Sequence, residues 1–272
     1  SVPSASNVDY YINIIKEKMI ARKMIETATE IANDAYTPAD SIYEVLDTAE
    51  MKMLRIGNLR KVTEFQKIQD VVYKEQANLE KLAEQGSEIT GLTTGFADFD
   101  KLTAGLQPNQ FIIIAARPAM GKTAFALNIA TYAAMHSNKA VAVFNLEMSA
   151  EQLANRILQS LGQIDGFKMR TGRLEHNDWK KLNEAISKLS NANLFLDDTP
   201  GVTIGEIRSK CRRLYNSENG LGLVVIDYLQ LISGSGKNAG NRQQEVSEIS
   251  RSLKTMALEL GVPVIALAQL SR

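Results

Sequence analysis

Gly121, Lys122 and Thr123 stand in the order and spacing that a nucleoside triphosphate site requires. Such a site needs backbone N–H groups turned inward, a lysine that reaches the β and γ phosphates, and a hydroxyl for Mg2+. The loop leading in is Ala116, Arg117, Pro118, Ala119, Met120 and Gly121, with Ala116 where the general G-x-x-x-x-G-K-S/T pattern has its first glycine. The apolar run Phe111 to Ala115 before it has strand character, and Ala124 to Ala134 after it read as a helix whose N-terminal dipole favours an anion. Strand, loop and helix in that order predict ATP or GTP as the substrate, with Mg2+.

Three polar residues close other apolar runs and fit the same chemistry. Leu223-Val-Val-Ile-Asp227 ends in a carboxylate that can hold Mg2+ or its water beside the phosphate loop. Val143-Phe-Asn-Leu-Glu147 ends in another, placed to orient or deprotonate an attacking water. Glu147 reads equally as a solvated glutamate at a strand-to-helix junction. Gln269, after Val-Ile-Ala-Leu-Ala, can hydrogen-bond a γ-phosphate and report its loss.

These residues need a frame, and the pattern supplies one. Short apolar runs at 111–115, 140–144, 194–196, 223–226 and 264–268 are rich in β-branched residues and separated by helical patterns. That alternation predicts a doubly wound α/β domain with a mostly parallel sheet, in which ligands collect outside the carboxyl ends of the strands. Ser149-Ala-Glu-Gln152 and Thr203-Ile-Gly-Glu206 are capping boxes, and Asn177-Asp178-Trp179 opens a further helix.

Helices come first along the chain. Tyr11, Ile14, Ile15, Met19, Ile25, Ala28 and Ala32 recur at three- and four-residue intervals and predict a helix over 7–33 with one buried face. Thr37-Pro38-Ala39-Asp40 has the cap of a second helix running to Gly57, so the two form a hairpin. A third stretch, 59–85, places Val62, Phe65, Ile68, Val72, Leu79 and Leu82 on one stripe. It reads either as a helix folded on its own domain or as a linker docked on a neighbour. The expected domains are a helical hairpin over 1–58, a linker helix over 59–86 and an ATPase domain over 87–272.

Composition sets wider bounds. The 272 residues are 44% hydrophobic and 23% charged, an ordinary globular balance. Thirty-one basic and 31 acidic residues cancel, so nucleic-acid binding would rest on local patches rather than a bulk field. The single cysteine, Cys211, excludes an internal disulfide and fits a reducing compartment. No apolar run reaches membrane-spanning length and no signal peptide opens the chain, which starts at Ser1 rather than methionine, as a piece of a longer sequence would. Lys237 and Arg242 flank the flexible stretch 233–240 and are candidates for a DNA-facing loop, or simply for a surface loop. Lys210, Arg212 and Arg213 form a basic helix face that reads as solvated or subunit-facing.

Several stretches together resemble one family. ITGLTTGFADFDKLTAGL, AARPAMGKTAFALNIA, NLEMSAEQL, DDTP, KCRRL, VVIDYLQLI, NRQQEVSEISRSLK and VPVIALAQLSR are similar, in order and nearly without gaps, to the bacterial replicative DNA helicases of the DnaB family. That family's loop reads A-R-P-x-x-G-K-T, so Ala116 is the expected residue. The resemblance implies a RecA-like core in a ring of six that encircles single-stranded DNA, moves 5′ to 3′ and hydrolyses ATP between subunits. It implies phosphate and Mg2+ contacts for Lys122 and Thr123, Glu147 as catalytic base, Asp227 as metal-side carboxylate, Gln269 as phosphate sensor and Arg156 near the nucleotide. The hairpin then resembles part of the collar that pairs subunits and receives primase, and 59–86 the linker that docks on the next subunit. A helicase loader and a bacterial cytoplasmic setting at replication forks are implied as well. The family's arginine finger and main DNA contacts are expected beyond Gln269, outside this sequence. A RecA-like recombination or regulatory ATPase, and a nucleotide-dependent scaffold, are the alternative readings.

Overall fold

The computed structural model describes residues 8–36, scattered positions between 42 and 67, and residues 68–86, 88–232 and 242–270. It divides into two compact units, Ser1–Lys81 and Leu82–Arg272. No described helix is long and apolar enough to cross a membrane.

The first unit is helical. α1 spans Val8–Tyr36, close to the expected 7–33. Its covered side differs from the expected one: Tyr11, Ile15, Met19 and Ile25 are exposed, whereas Ile14, Ile20, Ile31 and Asp34 are half-covered and Thr27 is buried. The side near Asp34 faces the returning chain, where Lys52 Nζ lies 2.7 Å from Asp34 Oδ2 and 3.3 Å from Glu30 Oε2. Described positions between Ile42 and Ile56 are helical, which makes the predicted hairpin, although its cap at 37–40 lies outside the described residues.

α2 spans Ile68–Gln85, not the whole of 59–85. Phe65 and Lys67 are not helical, and the Lys67 carbonyl accepts from the Asp70 and Val71 N–H groups to close the first turn. Asp70 in that turn complements the helix dipole. The positions 59–64, Val62 among them, lie outside the described residues. Ile68, Val72 and Leu79 on the apolar stripe are exposed.

The second unit is the expected doubly wound domain. After α3 (Ala97–Thr103) the order is β1 (Phe111–Ala116), α4 (Lys122–His136), β2 (Ala140–Asn145), α5 (Ala150–Gly162), α6 (Gly166–Thr171), α7 (His176–Ser190), β3 (Leu194–Asp197), α8 (Ile204–Tyr215), β4 (Leu221–Asp227), a short 3-10 turn Leu229–Leu231, α9 (Arg242–Leu260) and β5 (Val264–Gln269). The five strands run in the order β1-β5-β4-β2-β3, every pairing parallel. All five predicted strands are present.

Strand alternation divides the core between the two faces of the sheet. Ala140, Ala142 and Phe144 join Val224, Ile226, Val264 and Ala266 on one face, covered by Ile207 and Cys211 of α8 and by Leu253, Met256 and Leu260 of α9. Val141, Val143, Leu223, Val225, Ile265 and Leu267 form the other, covered by Ala126, Ile129, Ala130 and Ala133 of α4 and by Leu153 and Ile157 of α5. Small residues on α4 let it lie close to the sheet, which fixes the phosphate loop at its N-terminus to the strand ends.

Both predicted capping boxes form, at Ser149–Gln152 and Thr203–Glu206. The α7 start shifts by one residue: Glu175 is the cap and Asp178 answers it. The basic face of α8 is not a free one. Lys210 pairs with Asp197 and Thr199 Oγ1, and Arg212 Nε donates to Glu259 Oε1 over 2.7 Å, so two of its three cations are engaged within the domain. Burial works to raise the Asp197 carboxyl, but hydrogen bonds from Lys210 and Thr199 outweigh it and hold it below its ordinary value.

A buried tether steadies the chain ahead of the sheet. Asp100, 3% exposed, accepts from the Thr94 N–H at 3.0 Å and the Thr94 hydroxyl at 2.6 Å. Between them Gly95 adopts φ +84°, and the Tyr132 ring of α4 lies 2.6 Å from where a Cβ would sit. Both the conformation and the space demand glycine there.

Candidate nucleotide-binding site

β1 ends at Ala116, and the chain crosses the carboxyl edge of the sheet in an exposed loop, residues 117–121. Gly121 has φ +82° and is the N-cap of α4, without a side-chain cap and without an acid in the first turn. The first N–H groups of α4 therefore have no acceptor from the cap side chain, and the positive end of the helix meets no protein anion in its own first turn. Those are the conditions of an anion site. A Cβ at Gly121 would meet no protein atom, so glycine is required by conformation rather than by crowding. α4 begins two residues earlier than the helical pattern suggests, at the lysine itself.

The side chains that converge come from three elements. Thr123 Oγ1, in the first turn of α4, donates to Asp227 Oδ2 at the end of β4 over 2.6 Å. Asn145, at the end of β2, donates from Nδ2 to the same Oδ2 over 3.2 Å. Asn145 Oδ1 accepts from the backbone N–H groups of Glu147 at 3.0 Å and Met148 at 2.7 Å. Lys122 Nζ lies 5.4 Å from the centre of the Tyr228 ring, within cation–π range. The adjacency of β2 and β4, with Asn145 paired to Asp227 in register, brings these groups together.

Asp227 is 3% exposed and its Oδ1 has no hydrogen-bond partner. Burial pushes its carboxyl above the ordinary value against the Thr123 hydrogen bond and the charge of Lys122, and the negative charge of Glu147 adds to the push. A carboxylate in that state is short of positive charge. A hydroxyl on one of its oxygens and an orphaned second oxygen fit a Mg2+ that keeps most of its shell as water and phosphate oxygens. Among the described residues no group of three or more His, Cys, Asp or Glu side chains is gathered to hold a metal unaided.

The other residues singled out by sequence sit around this cluster. Ala116 pairs in register with Gln269 at the end of β5, and its carbonyl accepts from Leu270 N–H at 3.2 Å. Gln269 is therefore next to the first position of the phosphate loop, and its carbonyl accepts from Gln230 Nε2 at 3.2 Å. Glu147 is exposed at the β2–α5 junction, close enough for its charge to act on Asp227. Arg156 lies exposed on α5, outside the hydrogen-bonded cluster. Lys237 and the side chain of Arg242 lie outside the described residues.

Sequence reasoning passed over Asn145, Tyr228 and the Thr94–Asp100 tether. Asn145 carried a usable signal: an amide inside the run Val141 to Asn145 must be buried with the strand and so must be hydrogen-bonded.

Known proteins share this architecture. The family described as DnaB-like helicase C terminal domain matches residues 91–272. The chain is 52% identical over 272 residues to the replicative DNA helicase DnaC of Bacillus subtilis (strain 168), and 52% identical to the replicative DNA helicase DnaB of Geobacillus stearothermophilus. In both cases all of this chain aligns with 60% of the relative, so it spans about three-fifths of their length. A solved DnaB-like replicative helicase, studied with its interactions with primase, superposes with a TM-score of 0.78 at 33% identity, covering 100% of this chain and 62% of that one. A second solved structure, an isolated ATPase domain, superposes with a TM-score of 0.70 at 37% identity, covering 77% of this chain and 73% of that one. The chain belongs to the DnaB-like helicase family.

Proposed function

We propose that this chain is the motor portion of a replicative DNA helicase, a ring of six subunits that couples ATP hydrolysis to 5′–3′ movement on single-stranded DNA and to duplex unwinding. The observation that carries the reading is the Thr123–Asp227 hydrogen bond, which closes a metal-side pocket beneath an uncapped helix N-terminus. The names of the relatives above support the step from ATPase to helicase.

Each residue has a role in this proposal. The loop 116–121 wraps the phosphates with backbone N–H groups, and Lys122 swings from the Tyr228 face to the β and γ oxygens. Thr123 Oγ1 and Asp227, directly or through water, would hold Mg2+, which when bound neutralises charge on the phosphates. Glu147 takes a proton from the attacking water, and its exposed position leaves it open to that water. Gln269, beside Ala116 at the loop's base, hydrogen-bonds the γ-phosphate and passes its loss to the chain that follows. Arg156 serves the nucleotide from α5, and a cation from a neighbouring subunit completes the transition-state charge. Lys237 and Arg242 contribute phosphate contacts to single-stranded DNA, a binding that weakens with salt. The helical unit receives primase and a loader, and the exposed stripe of α2 docks on the next subunit. The setting is the bacterial cytoplasm, at the replication fork.

Strand displacement by the full-length protein tests this reading. On forked DNA with ATP and Mg2+, a 5′ tail supports unwinding and a 3′ tail alone does not, and native mass places six copies in the active assembly. ATP turnover by a monomer at the full rate, without unwinding from either tail, contradicts it.

A further inference from the structure

We propose that Asn145 is a positioning residue that couples the two acids of the site, holding Asp227 with one end of its amide and the backbone that carries Glu147 with the other. The inference rests on the proposed nucleotide site and goes beyond it by assigning a residue that touches neither phosphate nor water.

Asn145 is 1% exposed and closes an otherwise apolar strand. A buried amide without partners costs about 1–3 kcal/mol, so its bonds are part of the fold and not an accident of the surface. Nδ2 donates to Asp227 Oδ2, and Oδ1 accepts from Glu147 N–H and Met148 N–H. These partners fix which end is which: a flipped amide would set its NH2 against two N–H donors and its carbonyl against a carboxylate.

The geometry gives the side chain two tasks. Its carbonyl folds residues 145–148 into an Asx-type turn, so the direction in which Glu147 leaves the strand is set by Asn145 rather than by a solvated loop. A second clamp, Leu146 N–H to the Asp227 carbonyl at 2.8 Å, holds the same turn to β4. Its NH2 shares Asp227 Oδ2 with the Thr123 hydroxyl, which leaves Oδ1 turned free of any protein donor. The carboxylate is thereby oriented before any metal arrives. A general base misplaced by about 1 Å loses on the order of a hundredfold in rate, so a shared anchor for base and metal-side acid matters to both.

Two variants of the full-length protein separate the tasks. Asn145→Ala loses both, and is expected to lower kcat about 10–100-fold and to weaken Mn2+ binding about tenfold, read by electron paramagnetic resonance with ADP present. Metal-free ADP affinity, read by fluorescence, stays within about twofold, because Lys122 and the loop are untouched. Asn145→Asp keeps the acceptor for both N–H groups and puts a second anion beside Asp227. It is expected to recover kcat to within about tenfold of the parent and to bind Mn2+ at least as tightly. Asn145→Ala that folds and matches the parent in kcat and Mn2+ affinity overturns the inference. Should Asn145→Ala fail to fold, Asn145→Asp decides alone: altered Mn2+ affinity with near-parental kcat upholds it, and unaltered affinity overturns it. Asp227→Asn run in parallel tells two failures apart. If it retains metal-dependent turnover the proposed site itself is wrong, and if it is inactive beside parental Asn145 variants only the role of Asn145 is wrong.

Discussion

Thr123 opens α4 and Asp227 closes β4, and the hydroxyl of the first donates to the carboxylate of the second over 2.6 Å. The two are 104 residues apart in sequence. Their contact exists because α4 lies on the sheet through Ala126, Ala130 and Ala133, which puts its first turn level with the strand ends. The same packing that builds the core therefore sets the spacing between the phosphate loop and the acid beneath it.

Removing the lysine tests the phosphate half of the site. Lys122→Ala deletes the cation held over Tyr228, and ATP affinity is expected to fall at least about tenfold with the fold unchanged, since one charge-assisted contact is worth about 1.5–3 kcal/mol. Equilibrium binding of a fluorescent ATP analogue, with circular dichroism as the control, measures it.

Asp227 gives a pH dependence with a definite sign. Burial first, and Glu147 after it, hold the folded carboxyl above its ordinary value despite Thr123, Lys122 and Asn145. Between the ordinary and the raised value the folded state binds more protons than the unfolded one, so stability falls as pH rises through that window. At neutral pH the ionised group costs stability in the nucleotide-free protein. Asp227→Asn is expected to raise the nucleotide-free Tm by about 2–4 °C at pH 7, to flatten the Tm–pH curve in the acid range, and to abolish metal-dependent hydrolysis. Calorimetry across pH, paired with a phosphate-release assay, checks all three.

The Gly95 turn is a packing prediction independent of nucleotide. Gly95→Ala puts a methyl group against the Tyr132 ring at a backbone angle that alanine disfavours, and is expected to destabilise the fold by about 1–3 kcal/mol. Tyr132→Ala should recover part of that loss, leaving the cost of the φ angle alone. Urea unfolding of the two single variants and the double variant resolves the coupling.

The sheet was legible because its strands are short, buried on both faces and rich in β-branched residues, so each announced itself as an apolar run closed by a polar residue. The site was legible where chemistry is local: Gly121, Lys122 and Thr123 are neighbours, and Asp227 and Glu147 stand at strand ends. Asn145 was not, because its role depends on β2 lying beside β4, and strand order is invisible in a pattern of single runs. The covered side of α1 was misread for a related reason. Periodicity finds an apolar stripe, but the returning chain near Lys52 decides which side is covered, and Tyr11, Ile15 and Ile25 stay exposed. The start of α2 was placed too early because an apolar stripe continues past the turn at Lys67 that begins the helix. The basic face of α8 was misjudged because Asp197 and Glu259, which pair with it, come from other elements.

ATP binding and ATP hydrolysis measured side by side on Glu147→Gln test the central claim most directly. The substitution keeps size and shape and removes only the base. With Lys122, Thr123 and Asp227 intact, Mg2+·ATP should bind within about twofold of the parent while kcat falls by about 10²–10⁴. A variant that hydrolyses ATP near the parental rate would contradict the account, because the water would then be activated by some group other than the acid that Asn145 and β2 set beside Asp227.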